Sequence, residues 1–320
     1  LKKRLIKMEF LMDYAMFFVK VMTIALMLCL PLIAMIFLRK DSVPKDEKRI
    51  SVKRVNDRLE ELSLTIYKES LSPSAFKKKQ KSLKNQKRDN PKSKSYLINF
   101  DGDIKASAVT HLRDEITAIL RVARKNDTVL LRLESAGGTL HGYGLAASQL
   151  ERLKNEGLHL TVLVDKIAAS GGYLMACVAD EIIAAPFAIV GSIGVVAQLP
   201  NFNRLLKKND VDFELLTAGK HKRSLTMFGE NTEQGREKFQ ADIDIAHEVF
   251  KQYVSKNRKD IDIEKIATGE YWQATNAITL GLVDRLATSD DVILENAKVS
   301  EVFEISSVKK QALLSKLFSI

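Results

Sequence analysis

The hydrophobic pattern divides the chain into an apolar N-terminal run, a highly charged stretch and a long region of alternating elements. Residues 21–38 (VMTIALMLCLPLIAMIFL) contain no charge. At about 1.5 Å per residue, this run spans roughly 27 Å, close to a bilayer core. We therefore predict a membrane anchor within residues 1–40. A cleaved signal peptide is the alternative, but the run exceeds a typical signal core, and no small-x-small cleavage site precedes Arg39.

Residues 41–95 form a predicted charged stalk, in which 47–69 have the spacing of an amphipathic helix. Residues 77–94 carry nine Lys or Arg against one Asp, and the whole chain has a formal net charge of +10. A solvated linker explains such a run, and contact with anionic lipid headgroups is the alternative. Since no aromatic residue interleaves the lysines, we expect no nucleic-acid partner.

Apolar strand-like runs alternate with helix-like periods from residue 96 to about 290. This order predicts parallel βαβ units, and the nearly continuous apolar runs are typical of strands covered on both faces. Predicted strands are 96–100, 128–133, 159–164 and 181–184. Predicted helices are 111–123, 142–155, 170–179, 231–258, 263–267, 274–280 and 290–297. We assign residues 96–290 to the folded domain and 291–320 to a C-terminal extension.

Two glycine-rich turns each follow a predicted strand. Gly137 and Gly138 close the word LESAGG, and Ser170 and Gly171 lie in AASGGY. Glycines at a strand end let the backbone turn sharply and direct N–H groups at a ligand. Sites in parallel sheets lie at the carboxyl ends of strands, so one turn predicts a nucleophile and the other an oxyanion donor. The alternatives are a plain turn and an N-cap serine.

Lys222 is the candidate general base for Ser170. A lysine can act in this way if burial or nearby cations lower its pKa from about 10.4 to about 7–8. The alternatives are a solvated charged patch and His221 as the base. Ser192, between the two glycines of GSIG, is positioned to orient a neutral lysine or to complete a turn.

The histidines and cysteines predict neither a metal site nor a disulfide framework. The five histidines lack paired-ligand spacing, and the two cysteines lie in apolar surroundings. We expect no metal and no cofactor, and the sequence contains no nucleotide-binding motif.

At these residues the chain resembles the signal peptide peptidase A family of serine peptidases, and more closely its SohB branch. The resemblance covers about residues 96–290. The matching words are RLESAGG (132–138), HGYGLAASQLERL (141–153), VDKIAASGGYLMACVAD (164–180), APFAIVGSIGVVAQLPNFNRLL (185–206), TAGKHKRSLTMFGENT (217–232) and ITLGLVD (278–284). One departure is Ala136, which stands where the family usually has proline.

The resemblance implies a ClpP/crotonase-like α/β fold in a membrane-anchored endopeptidase that hydrolyses peptides such as signal-peptide remnants. It implies Ser170 as nucleophile, Lys222 as base and Ser192 as the serine that orients the lysine. Gly171 and either Gly137 or Gly138 would supply the oxyanion N–H groups.

It also implies a homo-oligomer in which Ser170 and Lys222 meet across an interface, and an inner-membrane location. The family usually faces the periplasm, whereas the positive-inside rule favours a cytoplasmic domain, so the side stays open. The alternative functions are an acyl-CoA enzyme of the same fold and an inactive membrane scaffold.

Overall fold

The computed structural model describes residues 12, 14–31, 50–86, 93–219 and 221–308. Helix α1 (Tyr14–Pro31) is long and apolar enough to cross a membrane, and it contains the first part of the predicted anchor. The rest of the predicted apolar run (32–38), part of the basic stretch (87–92), Lys220 and residues 309–320 lie outside the described residues.

The remaining elements run from residue 50 to residue 307. The strands are β1 (Ile50–Arg54), β2 (Lys94–Gly102), β3 (Thr128–Ser135), β4 (His159–Val164), β5 (Ile167–Ala169), β6 (Glu181–Ala184), β7 (Ile189–Gly191), β8 (Tyr271–Gln273), β9 (Arg285–Leu286) and β10 (Glu301–Ser307). The helices are α2 (Val55–Ser70), α3 (Pro73–Gln86), α4 (Val109–Leu120), α5 (Leu140–Asn155), α6 (Gly171–Ala176), α7 (Asn203–Lys208), α8 (Glu233–Asn257), α9 (Ile263–Ile266), α10 (Ala274–Ala277) and α11 (Ser289–Val299).

The described strands form one sheet in the order β1-β10-β2-β3-β4-β6-β9, with a branch in which β5 pairs with β3 and β7, and β8 pairs with β7. Every pairing is parallel except β1 with β10 and β7 with β8. The predicted α/β class with parallel βαβ units is therefore confirmed.

Both faces of the sheet are buried. Successive side chains of a strand point to opposite faces, so neighbouring residues of one strand belong to different cores. On β3, Val129 and Leu131 join the larger core with α4, α5 and α6, whereas Leu130 joins a smaller core. That smaller core includes Val55 of α2 and Val292 of α11. This two-sided burial accounts for the continuous apolar runs in the sequence.

Several elements differ from the sequence prediction. Within the region predicted as one helix over 47–69, residues 50–54 form β1 and the helix begins at Val55. Residues 301–307, which carried no strand prediction, form β10 and lie between β1 and β2. The three-residue strands β5, β7 and β8 were not predicted either.

Candidate active site

The carboxyl ends of β3, β5 and β7 lie side by side. Ser135 of β3 pairs with Ala168 of β5, and Ala169 pairs with Gly191 of β7. The residues that follow these strands are therefore neighbours in space. They include the glycine turn after β3, Ser170 after β5 and Ser192 after β7. Three separate sequence motifs thus meet at one edge of the sheet.

Ser170 occupies a strained turn between β5 and α6. Its φ of 51° and ψ of −118° belong to a region that favours glycine. Its N–H donates to the Gly191 carbonyl at 2.8 Å, and its carbonyl accepts from the Leu174 N–H at 2.9 Å. The N-cap alternative fails, because the Ser170 side chain makes no capping hydrogen bond with α6. Ser170 is half-buried, and no hydrogen bond to its hydroxyl is found among the described residues.

The turn after β3 approaches Ser170 as closely as glycine allows. Gly137 has a φ of +93°, and a Cβ atom placed on it would lie 2.7 Å from the Gly171 nitrogen and 2.8 Å from the Ser170 Cβ. These contacts are too short for any side chain. Glycine at 137 therefore lets the two turns meet.

The backbone N–H groups around Ser170 are not equivalent. The Gly137 N–H donates to the Ser135 hydroxyl at 3.0 Å. The Gly138 N–H makes no hydrogen bond among the described residues. Gly171 is the first residue of α6, so its N–H has no acceptor within that helix. The N–H groups of Gly138 and Gly171 are thus not engaged in the way that the Gly137 N–H is.

Ser192 is held in a second strained turn, beside the first. Its φ is 52°, and its N–H donates to the Glu270 carbonyl at 2.6 Å. The next carbonyl along the chain, that of Ile193, lies 3.2 Å from Nε2 of His247 on α8. Ser192 and Ser170 follow directly paired residues of adjacent parallel strands, which places the two serines side by side.

Lys222 lies in the irregular segment between α7 and α8. Its side chain is exposed, and its N–H donates to the Gly219 carbonyl at 3.1 Å. Within the single described chain, no hydrogen bond joins Ser170 to Lys222 or to His221, which is also exposed. The structure therefore brings together Ser170, Ser192 and the glycines, and it leaves both candidate bases at the surface.

Two polar residues of the site escaped the sequence interpretation. Ser135, the last residue of β3, and Tyr143 of α5 are both buried and hydrogen-bonded to each other. The available signal was a polar residue closing an apolar strand. Near the site, Cys177 is fully buried, and this burial raises the pKa of its thiol, so it is not a rival nucleophile. The described residues contain no group of three or more His, Cys, Asp or Glu that could hold a metal ion.

Comparison with known proteins now places this arrangement in a family. Residues 152–302 match the model of peptidase family S49, and residues 9–150 match the model of its N-terminal region. A "Probable protease SohB" of Buchnera aphidicola subsp. Schlechtendalia chinensis is 48% identical over 305 residues, which cover 90% of this chain and 99% of that protein. The chain belongs to peptidase family S49.

Two other proteins are similar to shorter parts of this chain. A "Probable protease SohB" of Haemophilus influenzae is 58% identical over 228 residues, or 71% of this chain and 65% of that protein. "Protease 4" of the same organism is 29% identical over 185 residues, or 56% of this chain and 30% of that protein. The S49 family has a ClpP-like fold, so the predicted fold and the predicted SohB-like family are both confirmed.

Proposed function

We propose that this S49 family member is a membrane-anchored serine endopeptidase with Ser170 as nucleophile and Lys222 as general base. The observation that carries the proposal is the conformation of Ser170. A non-glycine residue holds a glycine-type backbone, and its hydroxyl caps no helix. Backbone strain of this kind costs about 1–3 kcal/mol and is concentrated at functional sites. Family membership supports a peptidase over the acyl-CoA and scaffold alternatives.

The proposed reaction is acyl transfer in two steps. Neutral Lys222 removes the Ser170 proton as Oγ attacks the peptide carbonyl, and the resulting ammonium protonates the leaving amine. Water then attacks the acyl-enzyme and lysine accepts a proton from this water; the lysine ammonium returns that proton to Ser170 Oγ as the acyl C–O bond breaks, which releases the carboxylic acid product. Ser192 is proposed to accept a hydrogen bond from the lysine and orient it.

The oxyanion donors are proposed to be the N–H groups of Gly138 and Gly171. The turn after β3 supports Gly138 over Gly137, because the Gly137 N–H already donates to Ser135. An N–H that is engaged in a hydrogen bond would have to break it to serve the oxyanion. Removal of one oxyanion donor typically lowers kcat by about 100- to 1,000-fold.

A fluorophosphonate probe tests the nucleophile directly. We expect the probe to label the wild-type protein and not a folded Ser170→Ala variant. Persistent labelling of that variant would exclude Ser170. A peptide-library digest with both proteins then defines the cleavage preference. Thioester hydrolysis without peptidase activity would instead support the acyl-CoA alternative.

We further propose that the Ser170–Lys222 dyad forms between copies of the chain. Two observations support this proposal. Lys222 is exposed and not bonded to Ser170 within one chain, and the segment that carries it exposes large apolar side chains, including Val211 (46% exposed) and Leu216 (91% exposed). Exposed apolar surface of this kind is typical of a protein–protein interface.

Mixed assemblies test where the dyad forms. Ser170→Ala and Lys222→Ala are each expected to be inactive alone. If the dyad forms between copies, co-expression of both variants restores part of the activity, because one copy supplies the serine and the other the lysine. If mixed oligomers form and remain inactive, the dyad lies within one chain. Unchanged peptide turnover by Lys222→Ala alone would remove the lysine from the mechanism.

The proposed location is the bacterial inner membrane, with α1 in the bilayer. The apolar helix and the SohB relatives are compatible with such an anchor. The side that the peptidase domain faces can be tested with protease added to spheroplasts. Degradation of the domain in intact spheroplasts would indicate the periplasm, and protection until lysis would indicate the cytoplasm.

A further inference from the structure

A buried chain of hydrogen bonds lies beneath the turn that carries Gly138. The Gly137 N–H donates to Ser135 Oγ at 3.0 Å, Ser135 Oγ lies 2.5 Å from the Tyr143 hydroxyl, and that hydroxyl donates to the Asp103 carbonyl at 2.7 Å. Each hydroxyl has one proton, so when Tyr143 donates to the Asp103 carbonyl, the Ser135 hydroxyl is the donor to Tyr143. When Ser135 donates instead to the Gly102 carbonyl, Tyr143 is the donor to Ser135.

This series of hydrogen bonds connects three separate elements of the fold to the turn that carries Gly138. Ser135 ends β3, Tyr143 lies on α5, and Asp103 follows β2. The Ser135 hydroxyl has one further acceptor within reach, the Gly102 carbonyl at 3.2 Å. Hydrogen bonds linked in this way strengthen one another in a buried environment. The turn is therefore tied to the body of the sheet through side chains as well as through its backbone.

The ring of Tyr143 also contacts the second oxyanion turn. Tyr143 is 0% exposed, and a Cβ atom placed on Gly171 would lie 2.4 Å from Cγ and 2.6 Å from Cδ2 of its ring. Its other neighbours include Phe100, which makes an edge-on contact with ring centroids 6.4 Å apart. The ring is fixed in place and packs directly against the Gly171 backbone.

We propose that Tyr143 is a positioning residue that holds the two proposed oxyanion donors, the N–H groups of Gly138 and Gly171, in a fixed position relative to each other. Its hydroxyl fixes the turn of Gly138 through Ser135, and its ring sets the position of Gly171. The proposal rests on the proposed function of Ser170. No other side chain in the described part of the protein is hydrogen-bonded to Ser135 and packed on Gly171.

The chemistry of Tyr143 suits this role. Burial raises the pKa of its phenol above the usual 10, so the group stays neutral and keeps its proton at physiological pH. A neutral donor holds the turn without placing a negative charge beside a developing oxyanion. A misplacement of about 1 Å in a catalytic group can cost about 100-fold in rate.

Tyr143→Phe keeps the ring and removes the hydroxyl, so it tests the hydrogen bonds of Tyr143 with little change in packing. We expect kcat to fall about tenfold and KM to change less than about twofold, because the lost contact serves the transition state. Binding of a peptide boronate, which forms a tetrahedral adduct, should weaken in parallel with kcat. Ser135→Ala should lower kcat at least as much. The double variant should be no worse than Ser135→Ala, because both act through one chain.

Tyr173→Phe is the matched control. Tyr173 is also 0% exposed, and its hydroxyl donates to the Leu282 carbonyl at 3.1 Å, away from the glycine turns. The two Phe variants should lose similar thermal stability, but Tyr173→Phe should keep wild-type kcat and boronate affinity. Equal kcat in Tyr143→Phe and wild type, or an equal loss in both Phe variants, would overturn the positioning role.

An error in the proposed function would give a different experimental result from an error in the proposed role of Tyr143. If wild-type protein has no peptidase activity, or if Ser170→Ala keeps it, the proposed function is wrong and the comparison of tyrosines has no basis. If wild type is active, Ser170→Ala is inactive and Tyr143→Phe matches wild type, only the positioning proposal falls.

Discussion

Gly137→Ala should damage the active site by forcing apart the two glycine turns that meet beside Ser170. Its φ of +93° disfavours an L-residue by about 1–2 kcal/mol. The new Cβ would lie 2.7 Å from the Gly171 nitrogen and 2.8 Å from the Ala169 carbonyl oxygen, both backbone atoms. Restoring an ordinary contact of about 3.4 Å requires the turns to separate by about 0.7 Å.

That separation acts on the distance between the two oxyanion donors. By the usual sensitivity of rate to position, we expect kcat to fall between about tenfold and 100-fold, with KM nearly unchanged. Thermal unfolding should show a loss of about 2–3 kcal/mol, from strain and overpacking together. Peptide turnover and the rate of fluorophosphonate labelling measure the same defect independently.

Gly144→Ala is the control for this prediction. Gly144 lies within α5, has no positive φ, and has nothing within 4 Å of an added Cβ. Alanine is preferred to glycine in a helix by about 1 kcal/mol, so this variant should be slightly stabilised and fully active. Wild-type kcat and labelling in a folded Gly137→Ala variant would show that the close approach of the two turns has no catalytic importance.

Three further predictions concern stability. Burial alone would raise the pKa of Asp284, but hydrogen bonds from Arg258 and a backbone N–H lower it overall. Its stabilisation is therefore present above about pH 4 and is lost as pH falls through the lower folded value. Asp284→Asn should cost about 2 kcal/mol at pH 7 and flatten this acid dependence of the unfolding free energy. Asn56 makes three hydrogen bonds to backbone groups at the end of α11, at Ser300 and at the start of β10, so Asn56→Ala should cost about 2–3 kcal/mol in denaturant titrations. Ser170→Gly should be inactive but about 1 kcal/mol more stable than Ser170→Ala, because glycine relieves the φ of 51°; equal stability would contradict strain at this residue.

Much of the fold could be predicted, because long helices and strands that bury one or both faces have a recognisable pattern of apolar residues. The strands β3 and β4 are continuous apolar runs that need cover on both faces, and the observed strands begin at the predicted residues, 128 and 159. The two-glycine turns marked the strand ends, where parallel sheets place their sites. Short elements carry no such pattern. The three-residue strands β5 and β7 are defined by pairing with partners far along the chain, which local sequence does not contain.

The candidate site was predictable in its motifs and not in its contacts. Ser170 and the glycine turns could be identified, because their residue types limit the backbone locally. The link between Ser135 and Tyr143 could not, because it depends on how α5 packs against the end of β3. The position of Lys222 relative to Ser170 is less predictable still, since a proposed second copy of the chain would determine it.

The two strained serines show why the site is built on paired strand ends. Ser170 and Ser192 both have positive φ, a conformation that glycine would adopt at no cost. Each is held by its own N–H, which donates to the Gly191 carbonyl in one case and to the Glu270 carbonyl in the other. Backbone partners therefore fix both turns, and within the described part of the chain neither serine hydroxyl makes a hydrogen bond. A serine that served only the turn would be better replaced by glycine, so the retained hydroxyl at Ser170 is the part of the arrangement that stability alone does not explain.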